Sequence, residues 1–275
     1  MIQDMKKTIL IIAAVLGLGV CQASAQRLVI AHVNDTHSHL DAERDGQGGV
    51  IERAVFIDSL RKAEGKSKVL LLHAGDFNQG TSYYTVLKGN LEVQLANALK
   101  YDAMTFGNHE FDNGIEDLCA RVKKIKTQFV CCNYDFSPYE LGKYVKPCTI
   151  IKRGGMKIGI IGVLTDISKV VARETVDRLK PLDTSDEVNR WADYLKNEKK
   201  CDMVILLSHL GYDGNNEYSD KGLIPLVENV DLVIGGHSHT FMKQIDNNQK
   251  DLNGKVVPIV QDGCWGQSVG LIKIW

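Results

Sequence analysis

Three absences narrow the reading of this 275-residue sequence. None of its seven cysteines forms a Cys-x-x-Cys pair, so the thiolate spacing of common zinc and redox motifs is missing. Apart from Cys21, the cysteines (Cys119, Cys131, Cys132, Cys148, Cys201 and Cys264) are expected to be mostly buried free thiols. An excess of either sign of charge is also lacking, with 33 Lys and Arg against 34 Asp and Glu. The net charge is −1, so no overall basic field draws the chain to nucleic acid, and no nucleic-acid polymer is expected as a partner. Attraction for an anionic substrate must then be local, and bound metal ions can supply it. Finally, long hydrophobic runs are missing. The apolar stretch Thr8 to Val20 falls short of the ~20 residues that cross a bilayer, and no stable membrane span is expected.

That stretch has a different reading. Lys6 and Lys7 precede it, and Ala23-Ser24-Ala25 follows with the small-x-small pattern of a signal-peptidase site. Residues 1–25 are therefore expected to be a cleaved export signal, and the protein to be periplasmic or secreted. A signal anchor, or a lipid on Cys21, is less favoured; the Val20 that precedes Cys21 is bulky for a lipidation site. Residues 26–275 are enough for one large α/β domain, and no repeat, low-complexity tract or linker divides them.

Within that domain, apolar strands and amphipathic helices alternate. Strands are expected at Leu28–Val33, Lys68–Leu72, Tyr101–Phe106, Gln128–Cys132, Thr149–Ile151, Lys157–Val163, Met203–Leu207, Asp231–Ile234, Val256–Val260 and Val269–Trp275. Helical spacing marks Val50–Arg61, Leu91–Leu99, Gly114–Lys124 and Ser185–Lys199. Continuous apolar strands between helices indicate a sheet covered on both faces. Ligands of such folds gather at the carboxyl ends of the strands.

At those ends the sequence concentrates its histidines. His37, His109, His209, His237 and His239 each lie in a short polar or glycine-rich cluster directly after a strand, and Asp35, Asp76, Asn108 and Asp112 share the same clusters. Taken singly, a histidine there is most often a hydrogen-bonded turn residue, and an aspartate most often a helix cap. Recurrence of the same chemistry at successive strand tips argues otherwise. Asp35, His37, Asp76, Asn108, His209, His237 and His239 are too many ligands for one tetrahedral ion. They suit two cations about 3.5–4 Å apart that share a carboxylate. Nitrogen and oxygen donors without thiolate favour zinc, manganese or iron over calcium. His32 and His73 lie within strands and are expected in the core. His39 could support the ligands, and Tyr83 and Tyr84 could line the cleft or simply pack.

Five runs, Asn34-Asp35-Thr36-His37-Ser38, Gly75-Asp76-Phe77-Asn78-Gln79-Gly80-Thr81, Gly107-Asn108-His109-Glu110-Phe111-Asp112-Asn113-Gly114, Ser208-His209-Leu210-Gly211 and Gly236-His237-Ser238-His239, resemble in order the calcineurin-like metallophosphoesterases. Tyr101-Asp102-Ala103-Met104 resembles the 5′-nucleotidase branch in particular. The resemblance implies a four-layer α/β/β/α sandwich with a dinuclear metal site at the strand ends. It implies that Asp35, His37 and His239 hold one ion, Asn108, His209 and His237 the other, and that Asp76 bridges them. It also implies that a bridging water or hydroxide attacks phosphorus in line. By the same resemblance His109 stabilises the transition state or protonates the leaving oxygen, with Asp112 orienting it.

The implied activity is hydrolysis of phosphate monoesters, with nucleoside 5′-monophosphates the foremost substrates of that branch. A 2′,3′-cyclic-nucleotide phosphodiesterase and a metallophosphatase subunit are the alternatives. Secreted members of the branch carry a second domain with an aromatic clamp for the base. The sequence ends at Trp275, where the metal domain is expected to finish, so a separate chain is a possible partner supplying that substrate-binding domain.

Overall fold

The structure is a computed structural model that describes residues 11–13, 27–43, 46–214 and 218–275. Apart from Ile11–Ala13, the expected leader lies outside the described residues, as does Cys21.

Its strands are β1 (Ile11–Ala13), β2 (Leu28–Val33), β3 (Val69–His73), β4 (Ala103–Thr105), β5 (Gln128–Val130), β6 (Tyr134–Asp135) and β7 (Val145–Lys146). They continue as β8 (Cys148–Arg153), β9 (Met156–Leu164), β10 (Lys180–Pro181), β11 (Met203–His209), β12 (Leu232–Ile234), β13 (Ile259–Val260) and β14 (Gly270–Ile274). One sheet runs in the order β1-β14-β2-β3-β4-β5-β7, the other β13-β12-β11-β9-β8, and β6 pairs with β10 in a short ribbon. Strands β2, β3, β4, β5 and β7 are mutually parallel, as are β9, β11, β12 and β13. Parallel order brings several strand tips to one edge of each sheet.

Alternation along the strands explains how the sheets stack. Leu28 and Ile30 of β2 meet Ile205 and Leu207 of β11 in an apolar layer between the sheets. Val29, Ala31 and Val33 face the other way, into a layer with Ile57, Val93, Leu99 and Leu118. Those last residues belong to α1 (Val50–Glu64), α3 (Asn90–Leu99) and α4 (Gly114–Val122). On the far side Val204 and Leu206 pack against Val188 and Ala192 of α6 (Thr184–Asp193). Each sheet is thus buried on both faces, and the expected four layers are present.

Some elements depart from the periodicity. The helix expected over Ser185–Lys199 is α-helical only to Asp193, and Tyr194–Glu198 forms wider π turns. Leu195 in that segment packs against Gly159, where a β-carbon would lie 2.7 Å from Leu195 Cδ1. The strand expected at Val256–Val260 shortens to Ile259–Val260; Pro258, which lacks an N–H for the ladder, interrupts it. The short helix α2 (Ser82–Leu87) carries Tyr83 and Tyr84 and was not foreseen. Among the described residues all six cysteines are free, and only Cys148 is not fully buried.

Candidate metal centre

The tips of β2, β3 and β4 are fitted to one another by backbone contacts. The Asp35 amide donates to the Gly75 carbonyl at 2.9 Å and the His37 amide to the Asp76 carbonyl at 3.0 Å. Asp35, His37, Asp76, His237 and His239 all adopt positive φ, between 45° and 73°. Such backbone is uncommon for non-glycine residues and persists where its surroundings over-determine it. Gly107 shows how close the packing is: a β-carbon there would lie 2.1 Å from Asp76 Oδ1.

Side chains from the two sheets then converge. His209 Nε2 lies 3.0 Å from Asp76 Oδ2, and His37 Nε2 approaches the same oxygen at 3.8 Å. His239 Nε2 lies 3.3 Å from Asp35 Oδ1 and 3.0 Å from His37 Nε2. Three groups have donor atoms within 4.8 Å of one another: Asp35, His37 and His239; Asp76, His209 and His237; and His37, Asp76 and His109. The first group holds three residues expected around one ion, and the second holds Asp76 with two residues expected around the other. The third also brings His109 within ligand range. Asn108 lines the same cleft, which has a volume of about 430 Å³.

These donors fit divalent cations. Asp35 and Asp76 are fully buried carboxylates, which need compensating charge in a low-dielectric site. The buried Asn108 Oδ1 has no hydrogen-bond partner. His209 Nδ1 donates to the Ala74 carbonyl at 2.6 Å; an oxygen acceptor there fixes the tautomer that leaves Nε2 as an electron-pair donor. Asp35 accepts from Asn34 Nδ2 at 2.7 Å and from the His237 backbone N–H at 2.9 Å, so its orientation is set from both sheets.

Titration reflects the same charges. Burial works to raise the Asp76 carboxyl, yet His209 and His37 hold it well below its ordinary value. Burial works to lower His209, but Asp76 and Asp35 hold it up at about 10. His239 is also pushed to about 10, by its hydrogen bonds to Asp35 and Cys264. Burial, then His209, brings His237 down to about 4. Cations taking the place of these protons would release them, which links uptake to pH.

Beside the cluster, His109 Nδ1 lies 2.8 Å from Asp112 Oδ2. That hydrogen bond raises the imidazole's pKa, against burial. His32 and His73 are buried in strands away from the cluster, whereas His39 lines the same cleft, contacts Glu43 and stacks on Trp265. Tyr83 bonds to Asp41, while Tyr84 is buried and accepts from Asn113.

Residues 28–241 match the calcineurin-like phosphoesterase family. The chain belongs to that family. This calcineurin-like phosphoesterase is 34% identical to an apyrase of Tabanus yao, over 90% of the chain and 48% of the relative. It is 30% identical to a mouse (Mus musculus) 5′-nucleotidase, over 92% of the chain and 47% of the relative. A solved 5′-nucleotidase precursor from Thermus thermophilus superposes with a TM-score of 0.77 at 31% identity, covering 90% of this chain and 51% of that one. The chain thus spans about half the length of each of these relatives.

One organising residue of this phosphoesterase was missed from sequence. Glu110, fully buried, accepts backbone N–H bonds from Asp76, Phe77, Asn78 and Gly107 at 2.6–3.2 Å. It ties the Asp76 loop to the Asn108 loop. Burial and Asp76 push its carboxyl up to about 7, while those donors oppose the shift. The available signal was an acid between His109 and Phe111, inside a motif whose other members had roles.

Proposed function

We propose that the chain is an exported dinuclear phosphoesterase that hydrolyses phosphate monoesters, nucleoside 5′-monophosphates foremost, with residues 1–25 as leader and 26–275 as the phosphoesterase domain. The observation that carries this reading is the pair of neighbouring ligand groups, Asp35–His37–His239 and Asp76–His209–His237, with His37 Nε2 3.8 Å from Asp76 Oδ2 and His109 and Asp112 beside them. Asp35, His37 and His239 would hold one cation, Asn108, His209 and His237 the other, and Asp76 both. Such cations, when bound, acidify a water and neutralise phosphoryl oxygens.

The chain's own groups do the rest. His209 and Asp35 keep the donors aimed through their bonds to Ala74, Asn34 and His237. Asp112 holds His109 Nδ1, which leaves the Nε2 proton for the departing alkoxide. The raised pKa of His109 favours the protonated form that this role requires. Export is supported by the leader-like pattern at Lys6–Ala25. Among the described residues no helix is long and apolar enough to cross a membrane.

The test is a substrate panel on the purified chain reconstituted with zinc, manganese or iron. Adenosine 5′-monophosphate and p-nitrophenyl phosphate should be cleaved only with metal present. A clear preference for 2′,3′-cyclic adenosine monophosphate would move the assignment to the diesterase. Failure to cleave any ester at full metal loading would reject hydrolysis.

A further inference from the structure

Trp265 is an unusual residue for its position. Its side chain is 39% exposed, although large aromatics are mostly buried. Its φ is +60°, a backbone state that is a true outlier for a bulky side chain. The surrounding contacts hold it there. Its amide donates to the Asp35 carbonyl at 2.6 Å, the Asn34 side chain donates to the Gly263 carbonyl at 2.6 Å, and the Asp262 amide donates back to Asn34 Oδ1 at 3.0 Å. At Gly266 a β-carbon would lie 1.9 Å from Arg53 Nη1, so the guanidinium fills the space that a larger residue would need. The loop is therefore anchored to the same Asn34–Asp35 segment that carries a metal-ligand candidate.

The ring stacks on His39 with centroids 4.8 Å apart and planes 12° from parallel, and it lines the cleft that holds His37, Asp76 and His109. Val170, 49% exposed, lines that cleft as well. Strained backbone that keeps an aromatic ring out of the core, beside a polar centre, points to a ligand-facing role. An apolar wall next to a few charged groups is also the usual makeup of a small-molecule site.

We propose that Trp265, backed by His39, is a platform for the planar aromatic part of the leaving alcohol or phenol, such as the base of a nucleoside or an aryl ring. This rests on the phosphoesterase reading of the adjoining centre. It gives the chain an aromatic subsite of its own, independent of any second domain.

The test compares the wild type with Trp265→Ala, Trp265→Leu and Trp265→Phe. In the first two, the ratio of kcat/KM for adenosine 5′-monophosphate to that for ribose 5-phosphate should fall about ten-fold, the size of one base–aromatic stack, with Phe retaining most of the ratio. Calorimetry with free adenosine, which needs no chemistry, should show its Kd weakened by a similar factor in the Ala and Leu variants and nearly kept in Phe. If Trp265→Ala fails to fold, the Leu and Phe pair carries the comparison. Equal losses for both esters, or adenosine binding that Trp265→Leu leaves unchanged, would overturn the platform. Should the wild type cleave no ester, the adenosine arm still decides the platform, and the hydrolytic reading fails separately.

Discussion

The two sheets bring different chemistry to one place. Tips of the first sheet supply the oxygen donors Asp35, Asp76 and Asn108, with His37 and His109 between them, whereas tips of the second supply only imidazoles, from His209, His237 and His239. Two buried carboxylates on one sheet would repel each other. The imidazoles of the second sheet meet them at 3.0 and 3.3 Å. The centre therefore exists only where the sandwich is already packed. The opposite edge of the sandwich makes a useful contrast. There Arg153 of β8 pairs with Asp102, just before β4, and Asp102 also accepts from the Leu71 amide at 2.9 Å. It joins the same two sheets without any ligand cluster.

The largest effect should come from breaking the site-edge contact that both sheets share. Asp76→Ala is expected to release both ions and abolish hydrolysis while circular dichroism stays native. Two full equivalents of metal by elemental analysis in that variant would reject the bridging role proposed for Asp76.

A smaller effect sharpens the first sheet's contribution. His109→Ala should retain both metals and lower turnover by about 10²–10⁴, the range for a positioned proton donor. Since His109 also lies within ligand range of His37 and Asp76, loss of metal with an unchanged rate per bound ion would make it a ligand instead.

The smallest effect belongs to the far edge. Asp102→Asn should lower unfolding free energy by about 1 kcal/mol, as a partly exposed pair and one hydrogen bond warrant. Metal content and turnover should remain as in the wild type. Urea unfolding and elemental analysis check both halves, and loss of metal would mean that the two edges are coupled through the sheets.

Much of this was readable in advance because it is local. Continuous apolar runs at Leu28–Val33 and Met203–Leu207 mark strands buried on both faces, and the polar clusters after those strands stand out against them. Glu110 and Trp265 were not readable. Glu110 acts through amides more than 30 residues away, at Asp76 to Asn78, and no spacing rule reports such a bond. Nothing in the residues around Trp265 signals its left-handed backbone or its stack on His39, which is distant in sequence.

By itself the sequence determined which segments become buried strands and which chemistry sits at their ends, because side-chain periodicity and turn composition are properties of neighbouring residues. Only the tertiary structure decided that Asp76 meets His209 and that Asp35 meets His239 and His237. Those pairs are far apart along the chain, and their meeting depends on two sheets sharing one apolar layer and on backbone at Asp35, Asp76 and His237 that local preference alone disfavours.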